Sequence, residues 1–426
     1  MTSPNSYDDC LEAMYGLRRF GIKLGLGTIQ RILDGLGNPQ ERFACIHIAG
    51  TNGKGSIASS LSSILQACGY KTGLYTSPHL IKFNERICID NRPISDRRVV
   101  EAYEAVKNVP PGDREPTFFE YSTAMALYAF SQQDVEWAVI ETGMGGRLDA
   151  TNIIQPRLSI ISNISLEHQM YLGNTIAQIA FEKGGIIKEQ TPVITGAEQK
   201  NAIAVLREIA KKKSAPLYRF KEAFRVRRNR KNTFTYFGID HRWPHMQTPL
   251  RGRHQIDNLA IVLAACEILM RTKVELPIKR IQSGIAQNRW PGRLDIVSVS
   301  PLLILDGAHN LTAAKNLSHF LASDIKDRHL TLVVGILDDK PYAAMLKYLL
   351  PFCNRVILTR ARNDRALDPR ILFEIAQEMV ADVRIIADVA DAVKWALKSA
   401  SPRDAICVAG SLYVVGEAKE ALDNKT

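Results

Sequence analysis

Cysteine is scarce in this 426-residue chain, and its seven cysteines are scattered without a C-x-x-C pair. An odd, unclustered set argues against a disulfide framework and a structural zinc site, and it favours a reducing compartment. Long apolar runs are also missing, so no membrane-spanning helix is predicted. The first residues lack the basic and apolar stretches of a signal peptide. These absences predict a cytoplasmic protein without a membrane partner.

Acidic residues are scarce in residues 211–232, which hold ten Lys or Arg and a single acidic residue. This segment accounts for nine of the eleven net positive charges of the chain. No recognisable nucleic-acid-binding module accompanies it, so we predict no nucleic-acid partner. The segment is interpreted as a solvated, basic edge of one domain. The alternative is a surface that attracts small polyanions.

The N-terminal part of the chain alternates strand-like and helix-like segments. A buried strand is predicted at 43–50, and apolar residues at helical spacing predict a helix from Lys54 to Cys68. Further strands are predicted at 71–76, 135–142, 157–164 and 191–196. The alternation favours a mainly parallel sheet with helices on both faces.

A second alternation begins near residue 301 and predicts a doubly wound, Rossmann-like domain. Its five short apolar runs occupy 302–307, 330–336, 355–360, 383–388 and 405–410. We therefore predict an α/β protein with two domains. The predicted boundaries are 1–287 for an N-terminal domain, 288–295 for a structured linker and 296–426 for a C-terminal domain.

The stretch GTNGKGS (50–56) lies between the first predicted strand and helix. It departs from the usual phosphate-loop pattern G-x-x-x-x-G-K-[ST], because Ile48 replaces the first glycine and Gly55 follows Lys54. Backbone N–H groups at a helix start nevertheless attract anions, and Lys54 adds a charge for the β- and γ-phosphates. The alternative is a glycine-rich turn with an exposed lysine. The order strand, loop and helix favours a phosphate site.

Three polar residues follow three of the predicted strands. Ser77 comes after the second strand, Glu141 ends the third, and His168 follows the fourth. Each could be an ordinary turn or surface residue. Because parallel α/β sheets gather ligands at the carboxyl ends of their strands, the three residues together predict a Mg²⁺ site beside the loop.

Several motifs resemble, in the same order, those of the Mur ligase superfamily, most closely its folate branch, dihydrofolate synthase/folylpolyglutamate synthase. The resemblance covers nearly the whole chain. It implies an N-terminal P-loop ATPase domain of Mur ligase type and a C-terminal Rossmann-like ligase domain. The motifs are GTNGKGS, TSPHLIKFNERI, ETGMGGRLDATN, ISLEHQMYLG, EKGGIIK, GRHQIDNLA, NRWPGRLD, LDGAHN and GSLYVVGE.

The resemblance also implies contacts for ATP and for two Mg²⁺ ions, with a monovalent cation as a further option. The implied ATP-binding residues are Thr51, Asn52, Gly53, Lys54, Gly55, Ser56, Asn258, Arg293 and Asp306. The implied metal ligands are Ser77, Glu141, His168 and Lys183. Lys183 would be carbamylated, because CO₂ converts an ammonium that repels Mg²⁺ into a carboxylate-like ligand. The implied catalytic residues are Lys54, Lys183 and His309.

A pterin site is implied by two further matching segments. Its residues would be Ile22, Lys23, Leu24, Thr117, Phe118, Phe119, Glu120 and Leu148. Phe118 and Phe119 offer flat apolar surface to a pterin or benzoyl ring. For each of these two rings, membership of the core is an equally good interpretation.

The predicted reaction is ATP-driven amide formation through an acyl phosphate. A bifunctional ligase would join L-glutamate to dihydropteroate and to folates that already carry glutamate. Its partners are these small molecules and ATP, and the chain is predicted to be a monomer. The alternatives are a ligase with only one of the two activities, a muramyl-peptide ligase, and a nucleic-acid-dependent ATPase that would account for the basic segment.

Overall fold

The computed structural model describes residues 6–17, 21, 23–110, 112–229 and 233–423. It contains two compact units, which are described separately. The first comprises Met1–Pro249 and Ile256–Asn288, and the second comprises Leu250–Gln255 and Arg289–Thr426. Within the described ranges, no helix has both the length and the apolar character needed to cross a membrane.

The first unit is built on an eight-stranded sheet with the order β4-β3-β2-β5-β1-β6-β7-β8. The strands from β2 to β8 in this order run parallel, and β3 and β4 add an antiparallel edge. The parallel strands are nearly all apolar and buried, as expected where helices cover both faces. Their bounds are β1 (Ala44–Ala49), β2 (Thr72–Tyr75), β3 (Ile87–Ile89), β4 (Arg92–Pro93), β5 (Trp137–Glu141), β6 (Leu158–Ile161), β7 (Val193–Thr195) and β8 (Leu217–Arg219).

Helices pack on the sheet and enclose two apolar clusters of this unit. Short 3₁₀ helices at Pro39–Glu41, Phe83–Arg86 and Ala150–Ile153 join some of the elements. The α-helices are α1 (Tyr7–Gly16), α2 (Gly27–Gly35), α3 (Lys54–Ala67), α4 (Asp96–Lys107), α5 (Phe118–Gln132), α6 (Gln169–Leu172), α7 (Ile176–Gly184), α8 (Lys200–Lys212), α9 (Arg253–Arg271) and α10 (Ile278–Gln287).

Helix α3, which follows the phosphate loop, is buried along most of its length. Two of its serine hydroxyls reach α10 and the residue after it: Ser63 Oγ donates to the carbonyl of Gly284 at 2.7 Å, and Ser59 Oγ donates to Asn288 Oδ1 at 2.7 Å. Gly284 allows this close approach, because a Cβ there would lie 2.5 Å from the Cα of Ile64. The helix that follows the loop is thus held firmly against α10.

A small antiparallel sheet, β9 (Arg225–Arg228), β10 (Phe234–Phe237) and β11 (Arg242–Met246), also belongs to the first unit. The turn between β10 and β11 is anchored by Glu267 of α9, which is fully buried. Its carboxylate accepts hydrogen bonds from the Tyr236 hydroxyl and from the backbone N–H groups of residues 239–241. Such a buried carboxylate is tolerated because each oxygen has donors.

The second unit contains a six-stranded sheet with the order β12-β13-β17-β14-β15-β16, parallel except for β12. Five helices surround an apolar core. The strands are β12 (Asp295–Val299), β13 (Leu302–Leu305), β14 (Leu330–Val334), β15 (Arg355–Leu358), β16 (Asp382–Ile385) and β17 (Ala405–Ala409). The helices are α11 (Leu311–Asp324), α12 (Tyr342–Leu349), α13 (Pro369–Ala376), α14 (Val389–Ser399) and α15 (Leu412–Asp423), with a 3₁₀ turn at Leu350–Phe352.

The predicted fold class is confirmed. Both sheets are mainly parallel and covered by helices, and each of the ten predicted strands overlaps a strand of the structure. The edge strands β3, β4, β8 and β12 and the small sheet β9–β10–β11 were not predicted. Short edge strands carry too few apolar residues for the periodicity to register.

Candidate active site

The loop 50–56 connects β1 to α3 at the carboxyl edge of the first sheet. Gly53 adopts a left-handed conformation with φ of 85°, and a Cβ at this position would lie 2.6 Å from Asn258 Oδ1. Glycine is therefore required there on both grounds. The same contact shows that Asn258, which the sequence predicts to be a nucleotide contact, lies directly against the loop.

Lys54 is the first residue of α3, and its ammonium is held close to the loop. Its Nζ donates to the carbonyl oxygens of Gly50 at 3.1 Å and Thr51 at 3.4 Å. The Glu141 carboxylate lies 3.9 Å from the same nitrogen. A positive charge at the N-terminus of a helix adds to the field of the free N–H groups, so the arrangement suits a polyphosphate.

Residues after β6 support the loop, and the sequence analysis did not identify them. Asn163 accepts a hydrogen bond from the backbone N–H of Asn52 at 2.9 Å, and Ser162 Oγ donates to the carbonyl of Asn52 at 2.7 Å. The Thr51 hydroxyl exchanges hydrogen bonds with the backbone of Ser165. The polar stretch SNIS (162–165) was the signal for these contacts, but the predicted strand at 157–164 covered most of it, whereas β6 ends at Ile161.

Two of the predicted metal ligands, Ser77 and Glu141, lie together at the carboxyl edge of the sheet. Ser77 follows β2 and Glu141 ends β5, and the Ser77 N–H donates to Glu141 Oε2 at 3.2 Å. His168 directly precedes α6 and is exposed, after β6 on the other side of β1. Hydroxyl and carboxylate oxygens fit Mg²⁺. Among the described residues no group of three or more His, Cys, Asp and Glu side chains forms a metal cage.

Lys183 of α7 is buried beside the loop. Its Nζ donates to the carbonyl oxygen of Gly50 at 2.8 Å, the same oxygen that Lys54 contacts. Burial, followed by the positive charge of Lys54, lowers the pKa of Lys183 to about 7. The side chain is consequently an amine with a substantial neutral fraction at neutral pH, which is the form that reacts with CO₂.

A buried polar chain, missed by the sequence analysis, runs from β1 to the motif GGRLDATN. His47 Nε2 lies 2.8 Å from Thr151 Oγ1, and the Thr151 hydroxyl donates to Asp149. The other Asp149 oxygen accepts from the Met144 N–H at 2.9 Å. Burial lowers the pKa of His47 to about 3, so this imidazole is neutral. The chain fixes the loop that carries Leu148.

The N-terminus of α5 holds two of the predicted pterin residues in a capping arrangement. Thr117 caps the helix, and Glu120 accepts hydrogen bonds from the Thr117 N–H and hydroxyl. Glu120 also pairs with Arg114 at 2.6 Å. The Glu120 carboxylate therefore already has partners that hold the start of α5 in place.

The two predicted aromatic residues of the pterin site are half-buried and pack on the core of the first unit. Phe118 stacks with Tyr15 at 5.7 Å between ring centres, and Phe119 lies 6.1 Å from Tyr75. A Cβ on Gly143 would lie 2.6 Å from the Phe119 ring, so this glycine gives the ring its space. Both side chains remain partly exposed.

Four residues of the predicted pterin site remain. Lys23 and Leu24 are exposed, Leu148 is half-buried, and Ile22 lies outside the described residues.

In the second unit, three predicted residues lie close together. Arg293 belongs to the segment WPGR, and Asp306 and His309 belong to the segment DGAHN. Asp306 accepts from the N–H groups of Leu294 at 2.8 Å and Ala308 at 3.0 Å. Arg293 Nη1 donates to the carbonyl of Gly307 at 3.0 Å, and His309 Nδ1 lies 2.8 Å from the same oxygen. Burial raises the pKa of Asp306, and the nearby Arg293 opposes that shift.

The sequence of the chain matches two known domain families. Residues 48–266 match the Mur ligase middle domain, and residues 292–412 match the Mur ligase, glutamate ligase domain. The chain belongs to the Mur ligase family. The first match starts in β1, directly before the phosphate loop, and the second starts at the WPGR segment.

Within this family the chain belongs to the dihydrofolate synthase/folylpolyglutamate synthase branch, as the sequence motifs predicted. It is 32% identical to the Bacillus subtilis dihydrofolate synthase/folylpolyglutamate synthase over 98% of this chain and 99% of the relative. It is 36% identical to the Lacticaseibacillus casei folylpolyglutamate synthase over 92% and 93% of the two chains.

Solved structures of the family have the same fold. Escherichia coli FolC in complex with DHPP and ADP superposes with a TM-score of 0.91 at 29% identity, covering 100% of this chain and 99% of the other. The Yersinia pestis bifunctional enzyme complexed with AMPPNP and Mn ion gives 0.88 at 29% identity, covering 99% and 98%.

Proposed function

We propose that this chain is a bifunctional ATP-dependent ligase that joins L-glutamate to dihydropteroate and to folates that already carry glutamate. The observation that carries the proposal is the carboxyl edge of the first sheet. There a glycine loop, the Lys54 ammonium and the Glu141 carboxylate converge on one helix N-terminus. Full-length relatives with both activities in their names support the choice of substrates.

The reaction needs two displacements. The substrate carboxylate attacks the γ-phosphorus of ATP, the bond to the β-phosphate oxygen breaks, and ADP leaves. The amino group of glutamate then attacks the acyl carbon of the acyl phosphate, and inorganic phosphate leaves. In this proposal the loop N–H groups and Lys54 stabilise charge on the transferring phosphoryl group. Asn258, which lies against Gly53, contacts the nucleotide.

We propose Ser77, Glu141, His168 and carbamylated Lys183 as ligands for Mg²⁺, which would neutralise charge on the triphosphate. The buried position of Lys183 and its lowered pKa support carbamylation, because the neutral amine can add CO₂ with loss of one proton. The Gly50 carbonyl, 2.8 Å from the lysine nitrogen, fixes the direction of this side chain.

The Phe118 and Phe119 rings at the start of α5 are proposed as the wall for the pterin and benzoyl rings. Arg293, Asp306 and His309 are proposed as the contribution of the second unit to the nucleotide. We also propose that the protein acts as a monomer in the cytoplasm.

Steady-state assays test the proposal. Purified protein is given ATP and glutamate with dihydropteroate, with a monoglutamylated tetrahydrofolate, or with neither acid, and ADP and products are measured. We expect ADP release coupled to glutamylated product with each acid and little release without one. ADP release that depends on added DNA or RNA instead would contradict the proposal.

A further inference from the structure

The outer face of the small sheet β9–β10–β11 carries a group of arginines that the proposed reaction does not use. Arg225 and Arg227 lie on one side of β9, and Arg242 begins β11. Their guanidinium carbons lie 4.7, 5.7 and 5.3 Å from the centre of the Phe237 ring. One aromatic ring therefore positions three positive groups, which we term the arginine face.

The arginine face lacks negative partners within the described part of the chain: no carboxylate there lies within ion-pair distance of Arg225, Arg227 or Arg242. Arg228 of the same strand, by contrast, pairs with Asp257 at 2.8 Å. Three like charges around one ring repel each other, so a bound anion stabilises the arrangement.

A pocket of about 450 Å³ adjoins these side chains, and most of its accessible surface is apolar. It is lined by Arg227, Arg242, His245 and the buried Thr235, among others. The Asn229 side-chain amide donates to the Thr235 hydroxyl at 3.1 Å, which keeps the amide in place. Guanidinium groups beside mainly apolar surface suit an anion whose charged groups are joined by methylene groups.

The spacing of the arginines favours a chain of carboxylates. Same-side residues on a strand, such as Arg225 and Arg227, are about 6.6 Å apart. A γ-linked glutamate chain carries one carboxylate per repeat, and its five backbone atoms span roughly 6 Å when extended. Guanidinium groups bind carboxylates through paired hydrogen bonds. In the fully extended chain successive carboxylates point to opposite sides, but rotation about its methylene bonds can turn two of them toward Arg225 and Arg227.

We propose that the arginine face binds the oligo-γ-glutamate tail of a long-chain folate product. The inference rests on the proposed function, because that reaction adds one carboxylate at each turnover. Single-stranded nucleic acid fits the face less well, since the one aromatic ring on it, Phe237, is already covered by guanidinium groups and is not free to stack with bases. Binding of the tail keeps long products on the protein, and the arginine face takes no part in the chemical step.

The test uses fluorescently labelled γ-linked hexaglutamate that lacks the pteroate group, titrated with the full-length protein and followed by anisotropy. We expect binding by the unaltered protein that weakens as salt is added. Arg227→Gln combined with Arg242→Gln should lower the affinity about tenfold or more, because two charge-assisted contacts are lost. The matched control, Lys211→Gln with Lys212→Gln, removes the same charge from the exposed end of α8 and should change it less than about twofold.

Absence of binding by the unaltered protein, or equal weakening in both double variants, overturns the inference. Tripolyphosphate or single-stranded RNA that displaces the hexaglutamate at lower concentration would assign the face to another polyanion and also overturn it. Thermal melting checks that the variants fold, and Arg225→Gln serves as the substitute if the double variant does not. Ligase turnover with a monoglutamylated folate is measured in parallel, so that an inactive protein that binds the tail refutes only the proposed function.

Discussion

The first unit contains two groups of positive side chains that differ in burial. Lys54 and Lys183 both donate to the carbonyl of Gly50 and are largely shielded from water. Arg225 and Arg227 lie on an exposed face. A buried amine is fixed in place and its pKa responds to its surroundings, whereas an exposed guanidinium stays charged and its field is screened by salt. The first group suits chemistry, and the second suits attraction of a ligand.

The largest expected effect comes from removing the fixed charge at the loop. Lys54→Ala should lower kcat by about 10²–10³-fold or more, because the transferring phosphoryl group loses a preorganised positive charge. Single-turnover formation of ADP measures the effect. Lys211→Ala removes an exposed lysine and should leave the rate unchanged. Activity of Lys54→Ala close to that of the unaltered protein would remove the loop from the mechanism and erase the difference between the two groups.

The second test uses the pKa of Lys183. Because this pKa lies near 7, the amine is mainly neutral above pH 7 and mainly protonated below it. Carbamate forms from the neutral amine, so activation by added bicarbonate should decline as the pH falls from about 8 to about 6. Assays in CO₂-depleted and bicarbonate-supplied buffers measure this dependence.

Variants at Lys183 sharpen that test. Lys183→Arg keeps the positive charge but cannot form the carbamate, so bicarbonate should no longer activate the enzyme. Lys188→Arg, at a half-buried lysine whose Nζ donates to the carbonyl of Asn152, serves as the control and should retain activation. Equal bicarbonate activation in both variants would show that another group is responsible.

A third test concerns the stability of the small sheet that carries the arginine face. Glu267→Ala should lower the free energy of unfolding by about 1–3 kcal/mol, because the buried Tyr236 hydroxyl and the part-buried N–H groups of residues 239–241 lose their acceptor. The damage should be concentrated in the small sheet, so ligase activity of the folded protein should fall less than it does in Lys54→Ala. Urea unfolding measures the loss, with the exposed Glu275→Ala as the control.

The surroundings of the loop also show which features of the site the sequence predicts and which it does not. The loop at 50–56 and the strand ends near Ser77 and Glu141 are local patterns, and the parallel sheet brings them together as predicted. The chain from His47 through Thr151 to Asp149 joins residues about a hundred positions apart. Its members are ordinary core or turn residues until the fold places them in contact, so no local pattern marks them.

The basic segment illustrates the opposite case. Its composition was evident, but charge counts do not distinguish Arg228, which pairs with Asp257, from Arg227, which faces the Phe237 ring. The alternation of the two sides of β9 decides this, and β9 was not predicted. Arg230, in the same segment, lies outside the described residues.

The smallest expected effect concerns the arginine face. Arg225→Gln with Arg227→Gln should leave kcat within about twofold at saturating ATP, glutamate and monoglutamylated folate, because exposed charges contribute little to a step they do not touch. Turnover at two salt concentrations measures this, with Lys54→Ala assayed alongside as the inactive reference. A fall in kcat of more than about tenfold would mean that the exposed arginines take part in the chemical step. In that case burial would no longer separate the two groups, and the arginine face would have to be assigned to the reaction rather than to its product.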